Sequence, residues 1–270
     1  MRSKRVQIAW VQIACAACVA GAVLLAAGCY TVPETGRRSL NFLGAEQEMQ
    51  LGFSEFEKMK KEIPISKDAA ANALVQKVGK KIAAVAPLEG AQWEFVVFDS
   101  PQANAFCLPG GKVGVYLGIL PITRDEAGLA TVIGHEVAHA VARHGGERIS
   151  KAYAIQGVGA ALSVATAQSE YADLISQAYG MGTQLGIALP HSRANESEAD
   201  RMGLIYMAKA GYDPAAAVGF WQRFAEFNRQ AGGDSAPWFL RTHPLDDQRI
   251  RDIQSWIPEA RSRAGQAASK

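Results

Sequence analysis

The sequence predicts an α+β domain, mainly helical, with a small antiparallel sheet beside one central helix. Three observations carry that expectation. Residues 129–141 are an apolar, helix-patterned stretch that contains His135-Glu136-Val137-Ala138-His139. Three short strand patterns come directly before it. Helix-patterned segments at 44–62, 67–86, 214–230 and 247–256 flank both.

The chain opens on a targeting pattern. Met1-Arg2-Ser3-Lys4-Arg5 is basic, Val6 to Ala27 is mostly apolar, and Leu25-Ala26-Ala27-Gly28-Cys29 puts small residues before a cysteine. This resembles a lipoprotein signal: residues 1–28 are removed and Cys29 is acylated. Ala26 stands where Leu is commonest. The competing reading is an uncleaved anchor helix, since the apolar run is long enough to span a bilayer. Either reading exports the remainder. Tyr30 after the cysteine, rather than Asp, points to sorting to the outer membrane of a Gram-negative periplasm. Residues 29–43 read as a tether, 44–258 as the domain and 259–270 as a flexible tail.

Loss of residues 1–28 leaves 25 basic against 26 acidic residues, a formal −1 rather than the +2 of the whole chain. There is no basic, aromatic-interleaved stretch, so nucleic acid is not an expected partner. Cys15 and Cys18 leave with the signal and Cys29 takes lipid. Cys107 alone remains, read as core packing, and no intramolecular disulfide is expected in the exported domain.

Trp93-Glu94-Phe95-Val96-Val97-Phe98 alternates like a strand. Residues 105–108 and 112–117 read as two more, joined by Pro109-Gly110-Gly111. Asn104 to Leu108 is the candidate edge strand lining a cleft, where an extended substrate can pair. The central helix is expected to start at a capping box, Thr123 at the N-cap and Glu126 at N3, and to stop at Gly145-Gly146. Residues 152–168 and 180–190 are too short and too polar for a span and read as packed helices and a mobile loop. A second helix begins in Ser192-Arg193-Ala194-Asn195-Glu196-Ser197-Glu198-Ala199-Asp200 and ends near Gly211.

His135 and His139 lie at i and i+4, so their imidazoles converge on one cation. Zinc takes neutral imidazole and carboxylate ligands and leaves a position for water. Glu136 projects beside that position and can take a proton from water and return it to a leaving amine. The face around the histidines carries Gly128, Thr131 and Ala142, small enough to leave room. A metzincin ending is excluded because 142 is Ala and 145 is Gly. For a thermolysin-like ending Glu147 is too close and Glu170 too far. On the second helix Glu196 and Asp200 share a face, while Glu198 lies about 200° from Glu196, so both glutamates cannot serve one metal. The pair makes sense if Glu196 ligates and Asp200 accepts a hydrogen bond from a ligand imidazole.

Four blocks, Asn104 to Gly111, His135 to His139, Ser192 to Asp200, and Thr242-His243-Pro244 with Arg249, together resemble the M48 zinc metallopeptidases, which include the Ste24, HtpX and Oma1 proteases and bacterial periplasmic relatives. The resemblance implies a zincin-like metallopeptidase fold. It also implies one zinc per chain on His135, His139 and Glu196, Glu136 as base, and Asp200 as a supporting acid and candidate proton donor. Cys107 departs from the small or apolar residue usual there. His243 could donate to an oxyanion or occupy the open zinc position in a self-inhibited state. Arg249 is a candidate brace for its loop, through a carboxylate. His144 and His191 read as ordinary surface or capping residues. The expected function is an envelope endopeptidase acting on unfolded or misassembled proteins; the alternative is a lipoprotein chaperone or assembly factor with a closed zinc site.

Overall fold

The structure, a computed structural model, describes residues 29–151, 192–230, 239, 243 and 245–268. The signal segment, the stretches 152–168 and 180–190, and His191 lie outside the described residues.

The elements run β1 (Cys29–Thr31), β2 (Arg38–Leu40), α1 (Ala45–Glu62), α2 (Ala69–Ala83), β3 (Glu94–Phe98), β4 (Ala105–Leu108), β5 (Lys112–Tyr116), α3 (Glu126–Val141), α4 (Arg193–Lys209), α5 (Ala216–Gln230) and α6 (Asp247–Ala268). A 3-10 turn and a one-turn helix link β5 to α3. The expected mainly helical α+β architecture is present. No helix of the described residues is long and apolar enough to cross a membrane.

The β4–β5 hairpin is antiparallel, as expected, and turns at Gly110 and Gly111, both at φ 82°, where glycine alone is unstrained. The sheet as a whole is mixed rather than antiparallel: its order is β3-β5-β4, and β3 pairs with β5 in parallel. Two reversals return the chain to the direction of β3, and β5 inserts between the earlier strands. That leaves β4 on an edge beside α3. Both faces of the sheet are covered. Phe98, Phe106 and Tyr116 pack with Phe56 of α1, and Phe95, Val97, Ala105 and Val115 join the main core with α2 and α3.

Local chemistry sets the helix starts. Asp68 accepts from Ala70 N and Ala71 N at the start of α2, and Ser192 accepts from Asn195 N at the start of α4. The cap of α3 is Asp125, which accepts from Gly128 N at 2.8 Å, and not Thr123. Thr123 Oγ1 is taken up by Leu120 O in the preceding turn, which moves the boundary two residues on. The expected glycine stop is also displaced. α3 ends at Val141, Arg143 takes φ 53°, and a new helical stretch starts at His144. Gly146 instead lies against the side-chain ends of Glu48 and Asn41, which a Cβ there would displace.

Two stretches read as loose are ordered. β1 and β2 form a hairpin from Cys29 onward, where the sequence suggested a tether. Val32 is fully buried, Tyr30 donates to Val141 O at 2.7 Å, and Arg37 pairs with Glu147 and Glu198. The expected flexible tail continues α6 through Pro258 to Ala268. There Glu259 holds Arg201 bidentately, at 2.8 and 2.9 Å, and Arg263 reaches Glu34 of the hairpin. The amphipathic pattern continues past the proline because α4 supplies a surface to pack on.

Burial pushes the Glu147 carboxyl up, but Arg37 and Lys151 outweigh it and hold it below its ordinary 4.5. A carboxylate depressed in the folded state contributes stability that is complete above 4.5 and lost as pH falls through the folded value. The melting temperature is therefore expected to drop on acidification below that point, and Glu147→Gln to flatten that part of the curve. An unchanged acid limb in the variant would count against the hairpin anchor.

Candidate metal centre and active site

α3 and α4 cross where Gly134 meets Gly203. A Cβ on Gly203 would stand 3.0 Å from His135 N, so only glycine allows this approach without displacement. The crossing brings the polar start of α4 under the histidine face of α3. His135, His139, Glu196 and His243 are all buried, and one ligand atom from each lies within 4.8 Å of the others. His139 Nε2 is 3.0 Å from His135 Nε2 and 3.2 Å from Glu196 Oε1. His243 Nδ1 is 3.1 Å from His135 Nε2 and 2.9 Å from Glu196 Oε1.

These separations fit one small cation. Tetrahedral zinc with bonds of about 2.0–2.1 Å sets its ligand atoms roughly 3.3 Å apart. Three imidazole nitrogens and one carboxylate oxygen form the donor set, and imidazole lone pairs turned on one another repel without a cation between them. The expected ligand trio is therefore brought together, with His243 in the fourth corner.

The surrounding groups orient this cluster. Asp200 Oδ1 lies 2.9 Å from His135 Nδ1, behind the imidazole. Burial pushes the Asp200 carboxyl up, but Arg249 and His135 outweigh it and keep it below its ordinary value. It meets the ring nitrogen of His135 opposite the one in the cluster, where it can orient that imidazole. Arg249, 6% exposed, reaches Asp200 through Nε at 2.6 Å and Nη2 at 3.0 Å, and Glu196 through Nη1 at 2.8 Å. Its guanidinium lies 4.0 Å over the Trp221 ring. It braces the ligand carboxylate as well as Asp200, more than the sequence reading gave it. Burial also acts on Glu196, but His243, Arg249 and His135 hold its carboxyl well below the usual range.

Glu136 is 5% exposed, and its Oε1 accepts no hydrogen bond among the described residues. His243 Nε2 stands 3.4 Å from that oxygen. Burial raises the Glu136 pKa against the opposing charge of His243 and His135, which moves it toward the range of a working base. Cys107 of β4 is partly buried against the main core, as read, and burial raises its thiol pKa with Glu136 adding to the effect. The expected cleft-lining stretch, Asn104 to Leu108, includes β4, an edge of the sheet packed beside α3.

His144 departs from the expectation, and Glu198, outside the metal cluster as expected, gains a partner. His144 is fully buried, with Nδ1 2.8 Å from His139 Nδ1 and Nε2 2.9 Å from Glu198 Oε2. A helix continued past Val141 would carry it away from the histidines; the break at Arg143 turns it back. Glu198 was assigned no partner. An acid on the opposite face from Glu196, in a helix buried on most sides, was the available signal that a cationic or donor residue had to meet it.

Fold and site together are those of a mononuclear metallohydrolase. The chain matches peptidase family M48 over residues 69–257 and belongs to that family of zinc-dependent metallopeptidases. It is 36% identical over 249 residues to the mitochondrial metalloendopeptidase OMA1 of Schizosaccharomyces pombe, covering 89% of this chain and 72% of that protein. It is 31% identical to the human metalloendopeptidase OMA1 over 239 residues, covering 84% of this chain and 46% of that one. It is 30% identical to the beta-barrel assembly-enhancing protease of Yersinia pestis over 242 residues, covering 87% of this chain and 47% of that one. The chain thus spans less than half the length of the latter two.

Proposed function

We propose that this chain is a zinc endopeptidase of the bacterial cell envelope that cuts unfolded or misassembled proteins. The observation that carries the reading is the buried cluster of His135, His139 and Glu196 with the buried carboxylate of Glu136 beside it. His135, His139 and Glu196 would hold one zinc. Bound there, the ion acidifies water and polarises the scissile carbonyl. Glu136 takes the proton from the attacking water and returns it to the leaving amine. Asp200 and Arg249 keep the His135 ring and the Glu196 carboxylate in place. The edge strand β4 aligns an extended substrate by backbone pairing, so that unfolded segments are favoured over folded ones.

The lipobox-like residues before Cys29 and the name of the Yersinia relative support an envelope location. In this reading residues 1–28 are removed, Cys29 carries lipid in the periplasm, and the anchor lies in the outer membrane. The domain then meets misassembled envelope proteins there.

The seating of His243 favours a resting state that is closed. Its Nδ1 fills the corner that water needs, and its Nε2 faces the base. Catalytic zinc sites keep that corner open. His243→Ala is therefore expected to raise cleavage of an unfolded β-barrel protein at least about tenfold, the factor set by a closed state favoured by only ~1.4 kcal/mol. A fall in rate would assign His243 to the oxyanion instead. The same seating supports the second reading, a chaperone or assembly factor that binds without cutting, and substrate held intact by both proteins would favour it.

A further inference from the structure

His139 is the ligand candidate whose outer nitrogen the sequence left without a role. Asp200 meets the outer nitrogen of His135, and His139 Nδ1 meets a third imidazole, His144 Nδ1, at 2.8 Å. His144 Nε2 continues to Glu198 Oε2 at 2.9 Å. Glu198 also accepts from Thr35 Oγ1 and, at 2.7 Å, from Arg37 Nε. Arg37 in turn reaches Glu147 at 2.9 Å. His144 is fully buried and Glu198 is 8% exposed.

The protons in this series follow from valence. A nitrogen that ligates a cation offers its lone pair, so His139, facing the cluster through Nε2, carries its proton on Nδ1. His144 Nδ1 is the acceptor in reach. The His144 proton must then sit on Nε2, where it is donated to the Glu198 carboxylate. Donors and acceptors alternate from ligand to carboxylate, and one tautomer of each ring satisfies every position. His135 is fixed by a carboxylate directly; His139 is fixed by a carboxylate through an intervening histidine.

We propose that His144 and Glu198, held by Thr35 and Arg37 of the β1–β2 hairpin, are positioning residues that fix the tautomer and ring plane of His139 for zinc. This rests on the zinc-site reading of the cluster. It makes the hairpin that begins at Cys29 part of the support of the metal centre, so that full metal affinity requires the hairpin to be docked.

The test is the zinc dissociation constant of the protein lacking residues 1–28, by competition with a chromogenic chelator, with circular dichroism of each zinc-free variant as the check on folding. His144→Leu and Glu198→Gln should each weaken zinc by about 10–100-fold, the usual effect of losing an outer hydrogen-bond partner of a ligand. The double variant should lose no more than the worse single one, because the two act through one connection. His144→Gln, whose amide can accept from His139 and donate to Glu198, should recover part of the loss, which a merely space-filling role would not give. Arg37→Gln should move affinity in the same direction by less. Wild-type zinc binding with every folded variant within about twofold of it would overturn the proposal, as would additive losses in the double variant. A wild-type domain that binds no zinc would instead overturn the zinc-site reading beneath it, so the two failures are distinct.

Discussion

Arg249→Met is expected to lower the stability of the zinc-free domain by about 3–5 kcal/mol, the range for removing one partner of a buried ion pair. The guanidinium is the shared cation of two buried carboxylates, Asp200 and Glu196. Without it the two buried carboxylates keep only neighbouring imidazoles as partners, and the site must take up protons or open the α4–α6 contact to water. Methionine keeps much of the contact with Trp221, so the loss reports charge rather than volume. Arg249→Lys should recover only part, because one ammonium cannot fork across Asp200 while also reaching Glu196. Zinc should restore some stability to either variant by compensating Glu196 in the folded state alone. Urea unfolding of the free and zinc-loaded proteins measures this, and a loss below about 1 kcal/mol would show that the three groups are not coupled as described.

Glu136→Gln is expected to lower kcat by about 10²–10⁴-fold, the usual contribution of a general base, with zinc content unchanged. The substitution is nearly isosteric and touches none of the ligand atoms. It removes a buried carboxylate beside the cluster whose Oε1 accepts no hydrogen bond among the described residues. Steady-state cleavage of an unfolded protein, with metal analysis of the same samples, separates the two effects. Lost activity accompanied by lost zinc would place Glu136 among the ligands, and undiminished activity would remove it from the mechanism.

The centre of the site was legible because its chemistry is local in sequence. The i, i+4 spacing puts His135 and His139 together on any helix, and the same spacing puts Glu196 and Asp200 on one face. What failed was whatever depended on where a helix stops or what lies next to it. Asp125 and Thr123 are both good caps, and only the competing bond to Leu120 decides between them. His144 was misplaced because a helical wheel has no term for the break at Arg143. The parallel β3–β5 pairing is a tertiary choice that alternation cannot encode. The order in residues 29–40 and 259–268 comes from ion pairs and packing with distant parts of the chain, through Glu198, Arg201 and Glu34.

The most direct measurement is a zinc titration of the metal-free domain and its His243→Ala variant, with peptide-bond cleavage and bound zinc followed in the same samples. Activity in the variant should rise with added zinc to a break at one ion per chain, disappear with chelator, and be absent from Glu196→Ala at the same zinc concentration. Cleavage that persists without zinc, or zinc that binds in full to Glu196→Ala and sustains activity, would contradict a single ion held by His135, His139 and Glu196.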